Sequence, residues 1–401
     1  MKNIKYNLAS DSWGNEEVSA INEVIKSNRY TMGPKVKKFE KEFASYFNSE
    51  YAIMVNSGSS ANLLMIASLF YSKKYDLKEG DEVIVPAVSW STTYYPVNQY
   101  GLKLVFVDVD RNTLNIDPKE IKKAISPKTK IIFAVNLLGN PCDLEEINKI
   151  CKKNNIILIE DNCESLGAKY YDNFTGTCGL LGSFSFFFSH HMQTMEGGMI
   201  LTDDKNLYEL CVSLRAHGWI RDLPDDNSIE KKTGNSFYDS FNFVTPGYSI
   251  RPLEMSGAIG SVQLNKLPMF IQNRRKNASI FKSLFENEPN ISIQQETGMS
   301  SWFGFSLLLT NKLSTFRDDL VDILMANNIE CRPIVAGNFT KNPVIKYLNH
   351  DICGELPVSD EIDKNGFFVG NDFRDLKNEI HYLYELIKEF EKSVLLDRKQ
   401  K

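Results

Sequence analysis

Apolar positions recur in two different periods along this chain, and the switching between them predicts its architecture. In NEEVSAINEVIKSN, Val18, Ile21, Val24 and Ile25 form a helical stripe. Met32-Gly33-Pro34 interrupts it, and Pro34 suits the start of a second helix, VKKFEKEFASYF. Short apolar runs then alternate with helical stretches. Residues 51–55, 82–85, 104–107, 130–135 and 156–159 predict strands, while 63–70, PKEIKKAI and 143–153 predict helices. Asp117-Pro118 reads as an N-cap followed by a first-turn proline. Residues 183–188 and 199–201 predict two more strands flanking a Gly-Gly turn. Such alternation predicts a mostly parallel sheet covered on both faces. After about residue 265 the rhythm changes. Helices over 276–285, 315–327 (with Ser314 as N-cap) and 378–395 surround a strand over 305–309. The expectation is an α/β protein with a large domain over 1–265 and a smaller α+β domain over 266–401.

Composition narrows the function classes. The 401 residues carry 46 Lys+Arg against 51 Asp+Glu, a net charge of −5. A pI near 5.7 and the mixing of both signs argue against a nucleic-acid binder. No apolar run approaches the ~18 residues that span a bilayer. The start, MKNIKYNLAS, lacks a signal peptide's apolar stretch. A soluble cytoplasmic protein with no membrane partner is expected. Seven cysteines, none spaced C-x-C or C-x-x-C, fit a reducing compartment and give no support to a metal or iron–sulfur site.

Three stretches carry candidate chemistry. The turn Ser57-Gly58-Ser59-Ser60 follows one predicted strand and opens a predicted helix. Small residues let backbone amides approach an anion, and a helix N-terminus favours negative charge. A plain capped turn would read the same way. Ile159-Glu160-Asp161-Asn162 puts acids at a strand's carboxyl end, where open α/β sheets bind ligands. A carboxylate there could hold a cationic ring nitrogen or merely face solvent. Third, GSFSFFFSHHMQTMEGG places His190 and His191 after a predicted strand. Histidine is the natural acid–base group near neutral pH, with an ordinary pKa of about 6.5. Adjacent histidines point in different directions. A zinc pair lacks support, because no HExxH or third ligand accompanies it.

Taken in order, a phosphate cup, an acidic strand end and a Ser-rich strand with a reactive residue resemble the layout of pyridoxal phosphate (PLP) enzymes of fold type I. There a carboxylate partners the pyridinium nitrogen and makes the ring an electron sink. Across nearly its whole length the chain is similar to the DegT-type sugar aminotransferases of nucleotide-sugar pathways. The matching stretches are RYTMGPKVKKFEKEFA, NSGSSAN, GDEVIVPAVSW, IEDNCESLGA, GSFSFFFSHH…EGG and PGYSIRPLEMSGAIG. The resemblance implies a fold type I homodimer with its sites at the interface. It implies that Gly58 and Ser59 bind the cofactor phosphate, with Ser183 adding a hydroxyl. It puts Trp90 on the pyridine ring, Asp161 on its nitrogen and Glu164 near its hydroxyl, where aminotransferases usually have Gln. Ser249 stands where the family usually has an Asn that reaches the phosphate across the interface. His217 and Arg221, in RAHGWIRDLP, become candidates for substrate contacts.

Transaminating members carry a Schiff-base lysine six residues before the EGG glutamate. Here that position is His190, and no lysine lies between Gly179 and Gly198. PLP or its amine form, PMP, is therefore expected to bind non-covalently, with His190 as the catalytic base. That narrows the resemblance to histidine-bearing 3-dehydratases. These remove the 3-hydroxyl of a nucleotide-linked 4-keto-6-deoxyhexose, with L-glutamate as amino donor. A second histidine-bearing group acts on CDP-linked sugars and holds an iron–sulfur cluster on cysteines that include a C-x-C pair. That pair is absent here. A GDP-linked substrate and no iron–sulfur reductase partner are expected. The alternatives are an aminotransferase using another lysine and a non-catalytic PLP-binding protein.

Overall fold

The computed structural model describes residues 5–397. Its centre is an eight-stranded sheet. In space the strands run Tyr51–Val55, Gly198–Thr202, Leu181–Ser185, Ile157–Asp161, Thr129–Val135, Glu82–Pro86, Lys103–Val107 and His350–Ile352. Only Gly198–Thr202 runs against the rest. Parallel neighbours need crossover connections, so helices cover both faces. Successive strand residues point to opposite faces, and both sets are apolar. Val83, Val85, Ile131 and Phe133 pack beneath the helices Gly58–Tyr71 and Lys205–Arg215. Ile84, Ile132 and Ala134 pack on the helices Pro118–Ala124 and Leu144–Asn154. Asp117 caps the first of these as expected, accepting from the Lys119 amide.

A second, antiparallel sheet joins Ile291–Ile293, Gly304–Leu309, Gly366–Gly370 and Cys331–Arg332. It forms its own core with the helices Arg317–Ala326 and Lys377–Asp397. Ser314 is not the N-cap of Arg317–Ala326, since Phe316 holds that position. The Ser314 hydroxyl instead donates to the Asn311 carbonyl and closes the preceding turn.

One helix, Glu254–Phe285, joins the two cores over 32 residues. The helix expected over 276–285 is only its last part. Its Leu264, Leu267 and Ile271 pack with Phe39, Phe43 and Phe184, while Ala278, Phe281 and Phe285 pack in the second core. The domain boundary expected at 265/266 therefore falls inside a continuous helix. The later half of the chain also returns a strand, His350–Ile352, to the edge of the large sheet. Glu254 ties the helix to its neighbour: its carboxylate accepts from the Lys35 and Val36 amides in the first turn of Pro34–Phe47. Those amides have no intrahelical acceptors, and negative charge suits that helix end.

Candidate active site

The carboxyl ends of the parallel strands meet at a cavity of about 310 Å³, where an open α/β sheet is built to bind ligands. Each wall follows from local sequence. Tyr51–Val55 runs into Asn56 and the N-cap Ser57, whose hydroxyl oxygen accepts from the Ser60 amide at 3.1 Å. This starts the helix Gly58–Tyr71, and Gly58 and Ser59 line the cavity. Position 58 must be glycine, because a Cβ there would lie 2.7 Å from the Ser185 Cβ and 2.9 Å from the Cys163 Sγ. The result is a small-residue cup at a helix N-terminus, suited to a phosphate.

Asp161 ends its strand facing the same space. Its Oδ2 accepts from Asn62 Nδ2 and Thr93 Oγ1, both at 2.8 Å. Trp90 caps the helix Ser91–Gln99 and leaves 58 % of its surface exposed at the cavity. Glu164 Oε2 accepts from the Leu138 amide at 2.9 Å, and burial, aided by the Asp161 charge, pushes its carboxyl up to about 7.

His190 lines the same cavity. Its ring packs edge-on against Phe303, with 5.2 Å between centroids. Its Nδ1 is buried with no hydrogen-bond partner among the described residues. Burial, with a contribution from the Arg274 charge, pushes its imidazole down to about 4. This departs from the ordinary value expected from sequence: the ring is unprotonated, and so free to accept a proton, throughout the neutral range. His191 points away, its Nε2 against the Ser301 carbonyl at 3.1 Å.

Four sequence candidates lie elsewhere. Ser183 does not reach the cup; its hydroxyl is buried and donates to Asn62 Oδ1 at 2.6 Å, beneath the cavity floor. Ser185, two residues on along the same strand face, lines the cavity instead. The strand expected to reach 188 ends there. Ser249 is exposed and pairs with Ala216 outside the cavity. His217 and Arg221 also lie outside it, around Trp219. The Arg221 guanidinium sits 3.4 Å from the Trp219 ring centroid, and His217 Nε2 lies 3.3 Å from Arg251 Nη2. Sequence reasoning missed Asn62, Ser185, Phe303 and Arg332. A closer signal existed for Ser185, the serine nearer the strand's carboxyl end.

The residues present fit a pyridoxal phosphate: a helix-start cup, a flat exposed indole, a carboxylate oxygen and an unpartnered imidazole nitrogen all belong to one cavity. No lysine lines it. Among the described residues, no group of three or more His, Cys, Asp or Glu side chains could hold a metal ion. No helix among them is long and apolar enough to cross a membrane.

A model of the DegT/DnrJ/EryC1/StrS aminotransferases matches residues 11–371. The chain belongs to that family. It is 56% identical to the GDP-4-keto-6-deoxy-D-mannose 3-dehydratase of Yersinia pseudotuberculosis, over 96% of this chain and 98% of that protein. Its fold matches the Escherichia coli GDP-4-keto-6-deoxy-D-mannose 3-dehydratase with bound hydrated PLP. That match has a TM-score of 0.94 and 54% identity, covering 96% of this chain and 99% of the other. A GDP-4-keto-6-deoxymannose 3-dehydratase structure with a trapped PLP–glutamate geminal diamine matches at TM-score 0.93 and 54% identity, over 95% and 99% of the two chains. The fold type I expectation and the resemblance to histidine-bearing 3-dehydratases are both borne out. Within this family frame, the position six residues before Glu196 holds His190, and His190 is at the cavity wall.

Proposed function

We propose that this chain is a PLP/PMP-dependent 3-dehydratase of GDP-4-keto-6-deoxy-D-mannose, with L-glutamate as amino donor. The observation that carries the reading is His190, a neutral imidazole, lining one cavity with Asp161 and with no lysine among the described residues around it. When bound, the cofactor supplies an amine to condense with the 4-keto carbon and a ring that delocalises the electron pair left when a proton departs.

The chain's own residues do the rest. The helix-start cup of Ser57, Gly58 and Ser59, with the Ser185 hydroxyl beside it, anchors the phosphate. Trp90 covers one ring face. Asp161 keeps the ring nitrogen protonated, which makes the ring a better electron acceptor. His190 takes the proton from the cofactor's methylene carbon and returns one to the departing 3-hydroxyl. One imidazole suffices, because the proton it gains is the proton the leaving group needs. Without an amine at position 190, the chain cannot tether the cofactor. Glu164 stands beside the ring where transaminating members usually have Gln.

Ser249, His217 and Arg221 serve the site of a second copy across a homodimer interface. Their place outside the cavity of their own chain supports this. The enzyme is cytoplasmic and uses no iron–sulfur reductase, a reading supported by the lack of any C-x-C pair.

The test is His190→Asn, with products of GDP- and CDP-linked 4-keto-6-deoxyhexoses followed by mass spectrometry in the presence of PLP and glutamate. Wild type should make the 3-deoxysugar from the GDP-linked substrate. The variant should lose at least ~10²–10⁴-fold, the usual share of a general acid–base group. Borohydride should leave no cofactor on the wild-type chain. Near-wild-type dehydration by His190→Asn, or a lysine-linked cofactor in peptide maps, would overturn the reading.

A further inference from the structure

The geometry points to Asn62 and Thr93 as positioning residues that decide which oxygen of Asp161 receives the cofactor's ring nitrogen, with Ser183 fixing the Asn62 amide. This rests on the PLP reading above. Asp161 is nearly buried, and its two oxygens are treated differently. Oδ2 takes Asn62 Nδ2 and Thr93 Oγ1, both at 2.8 Å. Two donors occupy both lone pairs of that oxygen and leave no place for a proton. Oδ1 takes a single, longer bond from the Cys163 amide at 3.2 Å. An N–H⁺ in the cavity can therefore be received only at Oδ1.

The donors are themselves locked. Asn62 Nδ2 also faces the Thr92 carbonyl at 3.3 Å, and its Oδ1 accepts from the Ser183 hydroxyl. Turning the amide over would set Oδ1 against a carboxylate and a carbonyl. The Thr93 hydroxyl gives its one proton to Asp161, so in its 2.9 Å contact with Ser89 it accepts. The direction of every bond follows: Ser89 to Thr93 to Asp161, and Ser183 to Asn62 to Asp161. Asn62 and Thr93 come from separate helices, Gly58–Tyr71 and Ser91–Gln99, and Ser183 from a strand beside that of Asp161. All four supporting side chains are buried. A buried polar network in which every member is satisfied is rigid. Removing a donor from Oδ2 opens a proton position on the carboxylate, and the proton shared with the ring nitrogen shifts towards it.

The readout is the ¹⁵N resonance of PMP labelled at the pyridine nitrogen, bound to wild type and to Thr93→Val, Thr93→Ser and Ser183→Ala. Thr93→Val keeps the shape and removes the donor. Its bound nitrogen should move towards the neutral-pyridine position and lose its proton at lower pH than in wild type. PMP binding should weaken about three- to tenfold, on the scale of one ordinary net hydrogen bond, because Thr93 acts through Asp161. Thr93→Ser should keep the wild-type resonance. Ser183→Ala should shift it in the same direction as Thr93→Val but less, and decides the matter if Thr93→Val does not fold. An unchanged resonance and titration, even with weaker binding, would mean that these residues only pack, and would overturn the inference. Wild type that binds no PMP, or binds it with a neutral nitrogen, would instead overturn the underlying PLP reading.

Discussion

Burial acts in opposite directions on Glu164 and His190 at the cavity walls, and each direction has a sign that stability measurements can read. Glu164 is pushed up to about 7. Between the ordinary carboxylate value and 7, the folded chain keeps a proton that the unfolded chain has lost, so stability falls as pH rises through that window. Glu164→Gln removes the dependence. Without cofactor, its melting temperature should exceed that of wild type by about 2–4 °C at pH 8 and converge on it near pH 5. His190 is pushed down to about 4. The unfolded chain then takes up a proton below its ordinary value of about 6.5 that the folded chain refuses, so stability is lost as pH falls from there towards 4. His190→Asn should be the more acid-resistant of the two proteins. Melting curves across pH 4.5–8 check both, and parallel curves for wild type and either variant would contradict the corresponding burial argument. The cavity chemistry and this stability profile share one cause: groups desolvated so as to be neutral before a ligand arrives.

At the scale of elements, the small residues of EMSGAIG let two helices touch. A Cβ on Gly257 would lie 2.7 Å from the Val36 backbone, and one on Gly260 would lie 2.5 Å from the Phe39 ring. Backbone cannot yield, so Gly257→Ala should cost about 1–3 kcal/mol in guanidinium unfolding. Ser261→Ala, on the same helix, should be neutral or stabilising, because its buried hydroxyl has no partner among the described residues. Equal losses from both would refute the close-approach argument. The same helix shows where sequence reading stopped. Its period is blurred because both sides of it are buried, and Pro268 lies inside it, a residue that normally ends helices. Ser91–Gln99 was hidden for similar reasons, with β-branched and aromatic residues and an internal Pro96. Seven of the eight strands of the large sheet were legible, because strands buried on both faces read as unbroken apolar runs; His350–Ile352, a short and largely exposed edge strand, was not. The cup and Asp161 were legible because one opens a helix and the other ends a strand, and His190 because it stands at the family's lysine position, six residues before Glu196. Ser183 and Ser185 were not separable by strand period. Both lie on one strand face, and only depth along the strand, set by tertiary packing, distinguishes floor from wall.

At the scale of the whole molecule, one short stretch of chain leaves several large apolar side chains exposed. Phe237 is 84% exposed and Phe241 67%, and Tyr238, Phe243 and Leu253 are exposed with them. Several large exposed apolar side chains on one stretch suit an interaction site better than ordinary surface. The stretch adjoins the group around Trp219, whose ring lies 6.2 Å from that of Phe243. A two-fold dimer burying these side chains would carry Ser249, His217 and Arg221 to the partner's cavity. Two consequences separate this from an assembly with self-contained sites. Phe237→Asp with Phe241→Asp should shift the sedimenting species from dimer to monomer and abolish turnover together, while leaving the far-ultraviolet spectrum unchanged. A sharper result comes from mixing two dead proteins, His190→Asn and Arg221→Ala, under conditions that exchange subunits. In a mixed dimer, the cavity with intact His190 belongs to the Arg221→Ala chain and receives Arg221 from the His190→Asn chain. One of its two sites is then whole. Random exchange makes half of the dimers mixed, so activity should return to about one quarter of wild type. If Arg221 served the cavity of its own chain, every mixed site would lack one residue and no activity would return, however complete the exchange.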